Sequence, residues 1–196
     1  MDCIELSIKS LDEECKEFAR KIQHEYQPDL VVYVARGSYL IAKSLVKVLE
    51  VPLVAVGAQR RGNNFKEIIS PILSVLPRSL CNMLRKLELK SDVHGEKPER
   101  YIEFLDDISS LDLSNIKKLL IVDDSVDTGR SMLAVRELVK LKFPNCEIKT
   151  ASLNVMSKSK GVIKIDYTVY EDKILRTPMS KDSKEYKIFI KLYNNR

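Results

Sequence analysis

Leu119-Leu120-Ile121-Val122-Asp123-Asp124-Ser125-Val126-Asp127-Thr128-Gly129-Arg130-Ser131 is the stretch on which the reading of this chain turns. Its first four residues are apolar without alternation, the pattern of a strand covered on both faces, as in a parallel sheet. Two carboxylates, Asp123 and Asp124, follow at the carboxyl end of that strand. Residues 127–131 then offer a short turn with hydroxyls and backbone amides, and residues 132–141 are apolar at helical spacing. Amides at a helix N-terminus are unsatisfied donors with partial positive charge, so a phosphate placed there needs no lysine. The carboxylates cannot hold a phosphate, but they suit the cis-diol hydroxyls of a ribose. On its own, an acidic pair after a strand is as compatible with a metal site, a phosphorylation site or a solvated strand end. With the turn attached, the pattern describes a phosphoribosyl site.

Working outward, 196 residues suffice for one well-buried domain and are too few for two full α/β domains. A 44% hydrophobic and 31% charged composition is that of an ordinary globular protein. The formal charge of +5 could suggest nucleic acid, but the lysines are scattered with no basic run interleaved with aromatics, and a polyanionic small substrate explains the charge equally well; no nucleic-acid partner is expected. Cys3, Cys15, Cys81 and Cys146 have no metal-ligand spacing and are expected as free thiols. No apolar run approaches the roughly 18 residues of a membrane span, and Asp2 and Glu5 stand where a signal peptide would be basic and then apolar. A cytoplasmic location without stable membrane insertion is expected.

Ser10 followed by Glu13 forms a capping-box pattern ahead of Leu11, Cys15, Phe18, Ala19 and Ile22, predicting a helix over residues 11–26 that Pro28 ends. Residues 30–35 read as a buried strand, 41–49 as a helix and 51–56 as a strand, a βαβ unit implying a parallel sheet. Residues 59–117 break this rhythm. A basic loop there leads to a helical stretch over 68–89, interrupted by Pro71 and Pro77, and then to charged residues 90–100. This region reads as an insert or lid. Beyond the central motif, strands are expected at 147–155 and 167–170, and a closing helix at 184–193. The expected fold is α/β: a single doubly wound domain over residues 1–196, with a mostly parallel sheet flanked by helices, a helical insert and a small C-terminal hood over 156–196.

Residues 119–131 resemble the PRPP-binding signature of the type I phosphoribosyltransferases. The resemblance implies that Asp123 and Asp124 hold the ribose hydroxyls and reach Mg²⁺ through water, while Asp127, Thr128, Gly129, Arg130 and Ser131 form the 5-phosphate loop. Ala35-Arg36-Gly37-Ser38 lies at the carboxyl end of the first predicted strand, where ligands gather in open α/β sheets and a glycine permits close backbone approach. In the family this position is the pyrophosphate loop, which carries Arg36, Gly37 and Ser38 over as pyrophosphate binders. Ser38 replaces a second glycine, an exchange tolerated where φ is negative. Arg60 and Arg61 add charge suited to the same pyrophosphate, or are simply solvated.

The family position of Asp127 is acidic in members acting on 6-oxopurines, where it faces the base nitrogen N7 and assists its deprotonation. The resemblance therefore implies that Asp127 is catalytic, and a helix N-cap role is compatible. Lys158 and Lys164 are alternative donors to the exocyclic oxygen of a base. Where relatives stack a Trp or Phe on the base, this chain has Ile174, without the aromatic contribution of about 1 to 3 kcal/mol per base. The leading expectation is PRPP-dependent transfer to a 6-oxopurine by a homodimer or homotetramer. The 68–89 insert prompts an alternative acceptor, a glycan or lipid-linked hydroxyl of surface polysaccharide synthesis. A non-catalytic PRPP sensor is the third reading.

Overall fold

In the computed structural model the described residues are 3–60, 100–109, 111–112 and 114–196. Their elements are β1 (Cys3–Glu5), α1 (Ile8–Glu25), β2 (Leu30–Ala35), α2 (Tyr39–Leu49), β3 (Leu53–Arg60), β4 (Arg100–Phe104), β5 (Lys118–Val126), α3 (Arg130–Lys142), β6 (Glu147–Val155), β7 (Tyr167–Glu171), β8 (Ile174–Arg176) and α4 (Tyr186–Asn194). The expected helix over 68–89 and Arg61 lie outside the described residues.

Six strands form the central sheet in the order β4-β3-β2-β5-β6-β7, all pairs parallel except the antiparallel edge pair of β3 with β4. The uniformly apolar runs in β2 and β5 follow from this placement, because both faces of the sheet are covered. Val31, Tyr33, Leu120 and Val122 pack on α1, α2 and α4, whereas Leu30, Val32, Leu119 and Ile121 pack on the α3 side with Met132, Val135 and Val139. The chain leaves β2 for α2 and β3 in one direction, and leaves β5 for α3 and β6 in the other. The neighbours β2 and β5 thus flank a topological switch point, where the loops beyond their carboxyl ends diverge to opposite faces and leave a crevice.

Several boundaries differ from those expected. Helix α1 begins at Ile8 because Ser7 is its N-cap, with Ser7 and Ser10 forming the capping box reciprocally through their hydroxyls; Glu13 has no part in it. Asp123 and Asp124 lie inside β5, which continues to Val126, and α3 begins at Arg130. A second, two-stranded parallel sheet joins β1 to β8, with Cys3 opposite Ile174 and Glu5 opposite Arg176. Arg176 is buried and fastens this small sheet by its contacts to Asp182 at 2.9 Å and Glu5 at 3.6 Å.

Candidate active site

Three loops meet at the carboxyl edge of the central sheet. The first, residues 36–38, leaves β2 through a cis Ala35–Arg36 peptide and enters α2. Ser38 has φ −94°, in the range open to any residue, and its buried hydroxyl donates to the Val34 carbonyl oxygen. Its side chain is therefore engaged within the fold, leaving the Arg36 side chain and the backbone near Gly37 as the exposed part of this loop. The Arg36 guanidinium stands 5.9 Å from the Tyr193 ring of α4, a cation–π approach at the outer limit of that interaction.

The second loop follows β5. Asp123 is 7% exposed and Asp124 half-buried, and each carboxylate accepts the next residue's amide at 2.9 Å, from Asp124 and Ser125 respectively. Burial pushes the Asp123 carboxyl well above the usual carboxylate range, and the Asp124 charge adds to it; burial likewise raises Asp124. Two adjacent carboxylates sharing so little solvent call for a cation or hydroxyl donors. Gly37 abuts this pair: a Cβ built on it would lie 2.8 Å from Oδ2 of Asp124. The two loops are thus in contact across the switch point, and only a residue without a side chain leaves the carboxylate in place.

Residues 127–129 turn the chain from β5 into α3. Gly129 occupies the N-cap position with φ 77° and no side-chain cap, so Asp127, which is exposed, is not the helix cap. The left-handed φ favours glycine there, and a Cβ would also meet Ile163 Cγ2 at 2.7 Å. The first amide of α3 with a helical acceptor is Leu133, bonded to the Gly129 carbonyl at 2.9 Å. Amides in the first turn of a helix lack helical acceptors, a donor set suited to an anion, and Arg130 and Ser131 stand in that turn. No described group of three or more His, Cys, Asp or Glu is arranged to hold a metal. The Asp123 and Asp124 pair nevertheless fits Mg²⁺, which keeps most of its waters and takes one or two carboxylates together with substrate oxygens.

The third loop connects β6 to β7. Lys158 lies in a 3₁₀ turn (Ser157–Ser159) directly beyond β6, at the same edge as the acidic pair, and is exposed. Lys164, also exposed, precedes Asp166, whose carboxylate and amide bind Thr150, so this part of the chain has descended to the middle of β6. Ile174 is 4% exposed and sits in β8 opposite Cys3, which leaves little of its side chain open. Arg60 ends β3, its side chain lying outside the described residues together with Arg61. Sequence reasoning missed Asn154, a buried amide in β6 that links this region to the turn before β8; in a strand that also carries Glu147, Lys149, Thr150 and Ser152, one more polar residue gave no distinguishing signal.

An open parallel sheet with an acidic pair and an amide-rich turn at its switch point is the architecture of the phosphoribosyltransferases. Residues 7–179 match the phosphoribosyl transferase domain, and the chain belongs to that family. It is similar to the purine phosphoribosyltransferase of Pyrococcus horikoshii Ot3, with 27% identity, a TM-score of 0.60, and coverage of 91% of this chain and 93% of that one. The Helicobacter pylori xanthine-guanine-hypoxanthine phosphoribosyltransferase shares the fold at 16% identity and a TM-score of 0.61, covering 99% of this chain and 98% of that one. A hypoxanthine-guanine phosphoribosyltransferase from Bacillus anthracis also shares it, at 17% identity and a TM-score of 0.53 over 85% of this chain and 79% of that one. No curated protein matches the sequence. No described helix is long and apolar enough to cross a membrane.

Proposed function

We propose that this chain transfers 5-phosphoribose from PRPP to a 6-oxopurine base, releasing pyrophosphate. The observation that carries this reading is the abutment of Gly37 on Asp124, which sets a close-approach backbone loop beside the diol-binding carboxylates and the amide turn of α3. The turn at residues 128–131 holds the 5-phosphate, Asp123 and Asp124 hold the ribose hydroxyls, and Arg36 with the Gly37 backbone holds the pyrophosphate, supported by Arg60 and Arg61. Fixing both ends of the donor supplies orientation, and fixed charges around the anomeric carbon favour its oxocarbenium-like transition state. Mg²⁺, when bound by the Asp123 and Asp124 pair, neutralises the pyrophosphate and templates the diol.

The bond from the anomeric carbon to pyrophosphate breaks as the bond to the base nitrogen forms, and Asp127 takes the proton from N7 of the base. Lys158, at the carboxyl edge, is the better placed of the two candidate lysines to meet the exocyclic oxygen. Residues 156–196 then serve as the acceptor hood, and Ile174, being buried in β8, contributes to its packing and gives little direct cover to the base. The similarity to the Pyrococcus purine enzyme supports a purine acceptor. The aliphatic Ile174 favours a second reading, in which the acceptor is not a nucleobase.

Pyrophosphate release from Mg²⁺-PRPP, with hypoxanthine, guanine, xanthine, adenine and orotate offered separately beside a no-acceptor control, tests the proposal. Release stimulated by a 6-oxopurine is expected. PRPP binding without base-stimulated release overturns the base assignment in favour of another acceptor or a sensor.

A further inference from the structure

The turn joining β7 to β8 is bound twice to the carboxyl end of β6. Asn154, 2% exposed, donates from Nδ2 to the Lys173 carbonyl oxygen at 2.9 Å, and its Oδ1 accepts the Lys173 amide at 3.2 Å. Both polar groups of one hood residue are thus satisfied by one side chain of the central sheet. Asp172, in the left-handed region at φ 53°, donates its amide to the Val155 carbonyl oxygen at 3.0 Å, and its carboxylate accepts the Ser157 amide at 2.7 Å and the Ser157 hydroxyl. On its other side Asn154 is paired in register with Ser125, the residue after Asp124, and its Nδ2 lies 3.4 Å from the Ser125 hydroxyl. One side chain therefore spans from the strand bearing the acidic pair to the peptide immediately before Ile174.

We infer that Asn154 is a positioning residue that sets the acceptor hood at a fixed distance from the PRPP site and thereby determines affinity for the acceptor. The inference rests on the transfer reading above and adds a specificity-determining position to it. An apolar side chain in place of Asn154 leaves the Lys173 amide and carbonyl without buried partners, so the turn moves to find water. The strand pairing of Ser125 with Asn154 does not depend on the replaced side chain, so the PRPP-binding residues are expected to keep their places. A buried residue of purely structural importance behaves otherwise, lowering kcat, PRPP affinity and thermal stability together.

Asn154→Leu, close in volume and uncharged, is the test, with Asn154→Ala as the second variant should the first fail to fold. Steady-state kinetics are read with the base and PRPP varied in turn. The base KM is expected to rise about tenfold while the PRPP KM and kcat stay within about threefold, the pattern of lost uniform binding at one substrate. In a double-mutant cycle with Ser157→Ala, which weakens the second fastening, the effects on base KM are expected to be non-additive because both act through one turn. Equal losses for both substrates, or an unchanged base KM, overturn the inference. Hydrogen exchange of residues 170–176 separates it from the transfer reading. If the wild-type protein transfers to no base, that reading falls with the acceptor half of the inference. Faster exchange in the Leu variant still upholds the fastening by Asn154, and unchanged exchange rejects it.

Discussion

Gly37 on the loop after β2 stands against the carboxylate of Asp124 on β5, so close that a Cβ would lie 2.8 Å from Oδ2 and 3.0 Å from Cγ. These atoms belong to a half-buried group fixed by its bond from the Ser125 amide. Gly37→Ala must displace either the loop or the carboxylate. Loss of at least about tenfold in PRPP affinity is expected, with unfolding free energy changed by only about 1 to 2 kcal/mol, the usual range for a local steric conflict. Isothermal titration with Mg²⁺-PRPP and urea unfolding measure the two, and unaltered PRPP affinity rejects the proposed meeting of the loops around substrate.

Asp127 is exposed at the turn, one residue after β5 ends, and does not cap α3. Replacement by the near-isosteric Asn keeps the shape of this side chain and leaves the N-cap residue, Gly129, unchanged. Asp127→Asn is expected to lower kcat with a 6-oxopurine by about 10²- to 10⁴-fold, the range for removal of a general base, and to leave PRPP binding within a few fold. Pre-steady-state pyrophosphate release gives the chemical step directly. An unaltered rate would remove Asp127 from proton transfer.

The strand, turn and helix that frame the candidate site were legible in residues 119–131, because a two-sided apolar run, an acidic pair and a glycine turn each carry a local signal. The βαβ unit around β2 and α2 was legible for the same reason. What escaped was non-local. The pairing of β1 with β8 depends on strands of three residues each, too short for periodicity to register. The antiparallel strand β4 pairs with β3 across residues that break the repeating pattern. Asn154 gained its meaning only when its amide met a backbone peptide 19 residues away. The start of α1 was misplaced because Ser7 and Ser10 cap it through two hydroxyls, whereas the more familiar serine and glutamate pattern began three residues later.

Arg176 is a buried cation whose Nε donates to Asp182 Oδ2 at 2.9 Å, with Glu5 at 3.6 Å from Nη1. Asp182 is itself only 10% exposed along its side chain. Removing the cation strands a buried carboxylate, so Arg176→Met is expected to cost about 3 to 5 kcal/mol in unfolding free energy. Adding Asp182→Asn removes the stranded charge and is expected to restore a large share of that loss. Urea unfolding of the two single variants and the double variant checks this, and strict additivity would show that Arg176 and Asp182 do not act as a pair.

Asp12 ties α1 to α2. Its carboxylate meets Lys16 Nζ at 2.6 Å, accepts the Ser44 hydroxyl at 2.6 Å and lies 3.4 Å from Lys47 Nζ. The hydrogen bond from Lys16, followed by that from Ser44, lowers its pKa from 3.8 to about 2. A carboxyl whose folded pKa lies below its unfolded value binds fewer protons in the native state, so its contribution is fully present above the unfolded value and fades as pH falls from about 5 toward 2. With partial exposure screening the charges, the contribution at neutral pH is roughly 1 to 2 kcal/mol. Asp12→Asn is therefore expected to be less stable than wild type by that amount at pH 7, and the gap to shrink by about half by pH 3. Urea midpoints of both proteins at pH 7, 5, 4 and 3 measure it; a gap that stays constant over this range would mean that Asp12 acts through packing, with its ionised form contributing nothing to the joining of the two helices.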